Sequence, residues 1–177
     1  MRPSLLERIK SGVLVCEGAM GSELAARGVS FRNTAELNLT QPDAILGVHR
    51  DYQAAGAQVF QTNTFAGNLL MLERAGLAEQ AAPIQTAAVG LAREAIGPEA
   101  LLALNIGPTG HLPEPYGDLP HAPAVACFRQ QLEVMLPLDV DFVLLETFEA
   151  LEEVEAALEA LRELRCQLPV AATMSFS

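Results

Sequence analysis

One pattern recurs along this chain: a short apolar run, a polar or glycine-rich break, then a longer stretch with helical spacing. The apolar runs fall at residues 13–16, 57–61, 101–104, 141–145 and 169–173. Runs this short between helix-length stretches predict βα units, since parallel strands need a crossover connection as long as a helix. Helices are expected over 22–27, closed by Gly28, from an N-cap at Thr40 to a stop at Gly56, over 66–75, and over 79–96 before Gly97-Pro98. A Pro-rich loop over 112–123 leads into a helix ending near Leu136. In the last helix Leu151, Val154, Leu158, Leu161 and Arg165 share one side. The run Glu149, Glu152, Glu153, Glu155, Glu159 and Glu163 reads as its solvated face.

Five βα units fit an open doubly wound sheet or part of a (β/α)8 TIM barrel. No G-x-G-x-x-G follows the first run, which argues against a dinucleotide-binding sheet. A whole barrel takes about 250 residues and eight strands, so the 177 residues are expected to hold about the first five units. Residues 1–177 then form the N-terminal part of a barrel domain in a larger polypeptide.

Charge and cysteine usage narrow the partners. A net charge of -11 repels nucleic-acid phosphates and anionic membranes, so neither is expected as a partner. Cys16, Cys127 and Cys166 lack C-x-x-C spacing and have no His at a metal-like interval, so they read as structural thiols in a reducing cytoplasm. No signal peptide or membrane span is read at the N-terminus.

In parallel βα architectures the loops after the strands share one face, and that face carries the site. Here those junctions are Glu17, Thr62-Asn63-Thr64, Asn105 and Glu146-Thr147. Two carboxylates on one rim suit acid–base sugar chemistry, a hard cation, or the ammonium group of a ligand. The alternative is that each acid is neutralised by an internal Lys or Arg, which the chain's shortage of basic residues supplies poorly. Gly18-Ala19-Met20-Gly21 is a Gly-bounded turn into a helix, whose exposed N–H groups suit a carboxylate or phosphate. Acids beside amides describe a receptor for an α-amino acid. His49 reads as an ordinary surface or boundary histidine, and His111 and His121 sit in the long loop without a nucleophile to pair with.

Several motifs then converge on one family. Glu17-Gly18-Ala19-Met20-Gly21-Ser22-Glu23-Leu24 resembles the opening D-G-A-M-G-T-x-L of the homocysteine S-methyltransferases. Glu36-Leu37-Asn38, Pro42-Asp43, His49, Gly56-Ala57 and Thr62-Asn63-Thr64-Phe65 resemble its next blocks. Ile106-Gly107-Pro108-Thr109-Gly110, Glu146-Thr147 and Met174-Ser175-Phe176 follow in the family's order. The likeness is nearest in flavour to the barrel of cobalamin-dependent methionine synthase and of the bifunctional proteins joined to a methylenetetrahydrofolate reductase. It implies a (β/α)8 barrel in which Glu17 and Glu146 hold the amino group of homocysteine. The Ala19 and Met20 backbone would hold its carboxylate, and Thr62, Asn63 and Thr64 would line the pocket. No catalytic residue is assigned.

The resemblance also implies Zn2+, which converts the substrate thiol to a metal thiolate for attack on an activated methyl group. Its cysteine ligands are expected in two segments beyond Ser177. The methyl donor would be methylcobalamin or methyltetrahydrofolate, a methyl sulfonium, or betaine, with folate, cobalamin or reductase domains further on. Without the zinc ligands the 177-residue chain alone is expected to be inactive. Two departures stand out: Glu17 replaces the family's Asp, and Ser22 its Thr. A non-catalytic barrel scaffold, or a barrel enzyme acting on another amino acid or a phosphorylated substrate, is the competing reading.

Overall fold

A computed structural model describes residues 3–176. The chain opens with α1 (Leu5–Ser11) and α2 (Met20–Ala26), then a 3-10 turn (Thr34–Glu36), the single turn α3 (Leu37–Thr40) and α4 (Pro42–Ala54). Next come β1 (Val59–Gln61), α5 (Leu69–Arg74), a second 3-10 turn (Ala78–Gln80), α6 (Ala81–Ile96) and β2 (Leu101–Ile106). The rest is α7 (His121–Met135), β3 (Phe142–Phe148), α8 (Leu151–Glu163) and β4 (Val170–Met174). The four strands pair in sequence order and all pairs are parallel, as the alternation of apolar runs and helices predicts.

The sheet is apolar on both faces. Phe60, Leu102, Leu104, Val143 and Leu145 pack in one cluster with Val89 and Ala92 of α6, Phe128 and Leu132 of α7, and Val154 and Leu161 of α8. Val59, Leu101, Ala103 and Phe142, the alternate positions, point the other way and meet Leu5 and Leu14. Near-continuous hydrophobic strands are what a parallel sheet covered on both sides requires.

Several sequence expectations shift. The first expected strand is only an isolated bridge between Cys16 and Val59, held by Gln58 N–H to Val15 O and Glu17 N–H to Val59 O. Val13 and Val15 stay exposed there, with no further strand among the described residues to extend the ladder. Thr40 does not cap α4. Its hydroxyl donates back to Glu36 O at 3.1 Å, and Gln41 is the cap before Pro42, whose fixed φ suits the first helical position. Asn68 caps α5 by accepting from Met71 N at 3.0 Å, so that helix starts three residues later than its apolar pattern suggests.

The buried face of α8 is also rotated from the expected stripe. Leu151 is 60% exposed, while Ala156, Ala157 and Ala160 are fully buried beside Val154 and Leu161. Small side chains let α8 lie close on α7 and the sheet, and that close approach outweighs the larger leucine. Among the described residues no helix is long and apolar enough to cross a membrane.

Candidate functional site

The C-terminal ends of β1, β2 and β3 converge with the turn after Cys16 on a cavity of about 480 Å3. It is lined on one side by residues 17–22 and on the other by Gln61, Thr62, Asn63, Asn105, Glu146 and Thr147, with Thr34 and Phe65 above. The two acids singled out by sequence therefore face one space. Glu17 is nearly buried: its Oε1 accepts from Gln61 N–H at 2.6 Å and its Oε2 lies 2.9 Å from Nδ1 of His49. Glu146 Oε2 accepts from Asn105 Nδ2 at 2.7 Å. The same Nδ2 donates to Gln61 Oε1 at 2.8 Å, so a continuous chain of polar contacts links one acid to the other. Among the described residues neither acid pairs with an arginine, so internal neutralisation does not account for them.

Local backbone features aim these groups. In β3 the register slips by one residue between Leu145 and Phe148, and Thr147 sits there at φ 57. Strict alternation would send Phe148 to the same face as Glu146. The bulge resets the alternation, so Glu146 turns to the cavity while Phe148 packs in the outer core, its ring 5.9 Å from that of Phe128. At the other acid, a Cβ on Gly18 would come within 2.6 Å of the Tyr52 hydroxyl. Any larger residue there would have to push the Tyr52 ring aside, breaking the bond its OH donates to Ala19 O at 3.3 Å. Ala19 gives α2 no side-chain cap, so the first-turn N–H groups lack protein acceptors.

Of the expected pocket residues, Glu17, Ala19, Met20, Thr62, Asn63 and Glu146 line the cavity and Thr64 does not. Thr64 is fully buried and its hydroxyl donates to Asn105 O at 2.7 Å. The Thr62 hydroxyl contacts that of Thr64 at 2.6 Å and accepts from Asn105 N–H at 3.0 Å, so both threonines brace β2 from behind. Thr62 still lines the cavity, whereas Thr64 is tied to the Asn105 main chain and does not reach it. The Asn63 amide donates to Thr34 O and Asn38 Oδ1, tying the 29–38 excursion to the rim. His49, expected at the surface or a boundary, is fully buried against Glu17. His121 pairs instead with Glu159 at 2.9 Å, and His111 lies beside Asp118.

A sequence profile described as homocysteine S-methyltransferase matches residues 14–177. The chain belongs to the homocysteine S-methyltransferase family. Betaine–homocysteine S-methyltransferase 1 of Sus scrofa is 34% identical over 181 residues, covering 98% of this chain and 63% of that protein. S-methylmethionine–homocysteine S-methyltransferase BHMT2 of Pongo abelii is 35% identical over 98% of this chain and 46% of its own length. The metallated form of the homocysteine methyltransferase MmuM from Escherichia coli superposes with a TM-score of 0.77 at 27% identity, covering 93% of this chain and 63% of that one. The chain thus spans between about half and two thirds of these relatives' lengths.

The family resemblance implies zinc, and the described residues do not fit a metal site. Among them no group of three or more His, Cys, Asp or Glu is placed to hold an ion. The cysteines are dispersed and none lines the cavity. Desolvation, aided by Glu17, pushes the Cys16 thiol up, and burial does the same for Cys127. Both effects work against the thiolate that a metal ligand needs. The residues that sequence reasoning missed are Gln61, which lines the cavity, and His49, which contacts Glu17. Each had a signal: Gln61 stands two residues after inward-facing Val59, and His49 one helical turn after buried Ile45.

Proposed function

We propose that residues 1–177 form the amino-acid-binding part of an enzyme that transfers a methyl group to homocysteine, yielding methionine. The observation that carries this is the meeting of two carboxylates and an uncapped helix start around one cavity at the strand ends. A zwitterion matches that arrangement: its ammonium group between Glu17 and Glu146, its carboxylate on the N–H groups that follow Ala19. Thr62 and Asn63 wall the site, and Thr64 supports that wall from beneath. The family's Asp is one methylene shorter than Glu17, and the contacts from Gln61 and His49 fix where the longer carboxylate sits.

The parallel units seen here are read as the first part of a (β/α)8 barrel. Free thiols and the absence of a membrane-crossing helix among the described residues support a cytoplasmic setting. The contribution derived from these residues is binding and orientation of the substrate. The zinc ligands are proposed to lie outside the described residues. Resemblance points to methylcobalamin or methyltetrahydrofolate as donor, with the corresponding downstream domains. The relatives' names point to betaine or S-methylmethionine.

Titration calorimetry on the intact protein tests the reading. Homocysteine is expected to bind and a sugar phosphate is not. Glu17→Gln and Glu146→Gln are each expected to weaken homocysteine binding by roughly tenfold or more, the usual effect of removing one charged hydrogen-bond partner. Methyl transfer is assayed with all four donors. Binding of the sugar phosphate in place of homocysteine would point to another barrel enzyme, and homocysteine binding with no turnover to a scaffold. The 177-residue chain by itself is expected to show no turnover.

A further inference from the structure

We infer that His49 and Asn105 are positioning residues, each holding one of the two cavity acids in the orientation that receives a ligand's ammonium group. The inference rests on the cavity being an amino-acid site. Both residues are buried, at 0% and 4% exposure, on different elements, yet each spends its polar contact on a cavity acid. A carboxylate only accepts hydrogen bonds, so the His49 proton is on Nδ1, facing Glu17 Oε2. Nε2 is buried as well, and it has no partner.

Asn105 repeats the arrangement. Turning its amide over would set Oδ1 against the Glu146 carboxylate, acceptor against acceptor, so Nδ2 is the atom that faces Glu146 and Gln61. Its Oδ1 is left buried without a partner. An unpaired buried polar atom is unfavourable, and an apolar side chain at either position would avoid it. Their neighbours follow that rule: Ile45, Leu46 and Val48 on α4, and Leu101 and Ala103 on β2. Two independent exceptions ending on two acids of one cavity are accounted for by what they hold. Gln61 joins them, donating to Glu17 through its backbone and accepting from Asn105 through its side chain, so the acids are aligned before a ligand arrives.

The test compares homocysteine with its des-amino analogue, the thiol acid that keeps the chain, sulfur and carboxylate but lacks the amino group. Both are titrated into the intact protein. Wild type is expected to prefer homocysteine. His49→Phe and Asn105→Leu are each expected to cut that preference roughly tenfold while changing affinity for the des-amino acid by no more than about twofold. His49→Asn, which can offer an amide N–H in place of Nδ1, is expected to restore part of the preference. Equal loss of both ligands, or an undiminished preference, would overturn the positioning role. Lack of any preference in wild type would instead overturn the amino-acid site itself. Should His49→Phe not fold, the imidazole nitrogen NMR signals of wild type decide. A protonated Nδ1 that responds to homocysteine and not to the des-amino acid supports the role, and an unchanged signal refutes it. Asn105→Ala replaces Asn105→Leu in the same event.

Discussion

Glu153 stands among six glutamates between residues 149 and 163, yet it alone of them is buried. Its Oε1 accepts from the Thr109 N–H at 2.8 Å and from the Thr109 hydroxyl at 2.6 Å, pinning the loop after β2 to the first turn of α8. Removing that acceptor leaves the buried Thr109 N–H without a partner and its hydroxyl with only the His111 O at 3.4 Å. Glu153→Ala is therefore expected to destabilise the protein by about 1–3 kcal/mol, against roughly 0–0.5 kcal/mol for Glu155→Ala on the exposed face. Urea unfolding of the two variants checks this, and equal midpoints would refute it. Nothing near Glu153 in sequence separates it from its neighbours, because its partner lies 44 residues away. The same distance effect hid His49, which meets Glu17 across 32 residues. Glu17 and Glu146 were legible because each closes an apolar run, where strand alternation and the shared face of the loops fix its direction before any contact is known.

At the scale of elements, the order and kind of the strands and long helices follow from apolar periodicity, and departures occur where a single side chain decides a boundary. Pro42 and Asn68 set two helix starts, and the bulge at Thr147 carries β3 beyond the apolar run that predicts it. That bulge is maintained against conformational preference, since a β-branched residue at φ 57 is strained. The hydrogen bond that closes it comes from the Thr147 main-chain N–H to Thr173 Oγ1 at 2.8 Å, so it does not depend on the side chain at 147. Thr147→Gly is accordingly expected to keep the bulge and stabilise the protein by about 0.5–1 kcal/mol. A higher denaturation midpoint with Phe148 still packed on Phe128 supports the strain account. A lower midpoint sinks it.

For the whole molecule the decisive feature is the pair of sheet edges. The Cys16 bridge lies beside β1 at one edge and β4 forms the other. Val13, Val15 and Val170 are exposed along them, with Phe176 exposed just beyond β4. Unpaired edges with apolar side chains template association with other chains. The net charge of -11 opposes that association, and salt screens the opposition. The 177-residue chain is thus expected to self-associate increasingly as ionic strength rises, read by light scattering, and a combined Val15→Lys and Val170→Lys change is expected to suppress it. In the intact protein the sign should invert. The relatives extend well past the stretch matched here, and the proposed barrel, continuing across both edges, would bury these valines. There the same two lysines are expected to lower stability by about 1–3 kcal/mol, because each places a charge where an apolar side chain was covered. An intact protein that tolerates both lysines without loss of thermal stability would show that these edges stay open, and the closed-barrel reading would fall with them.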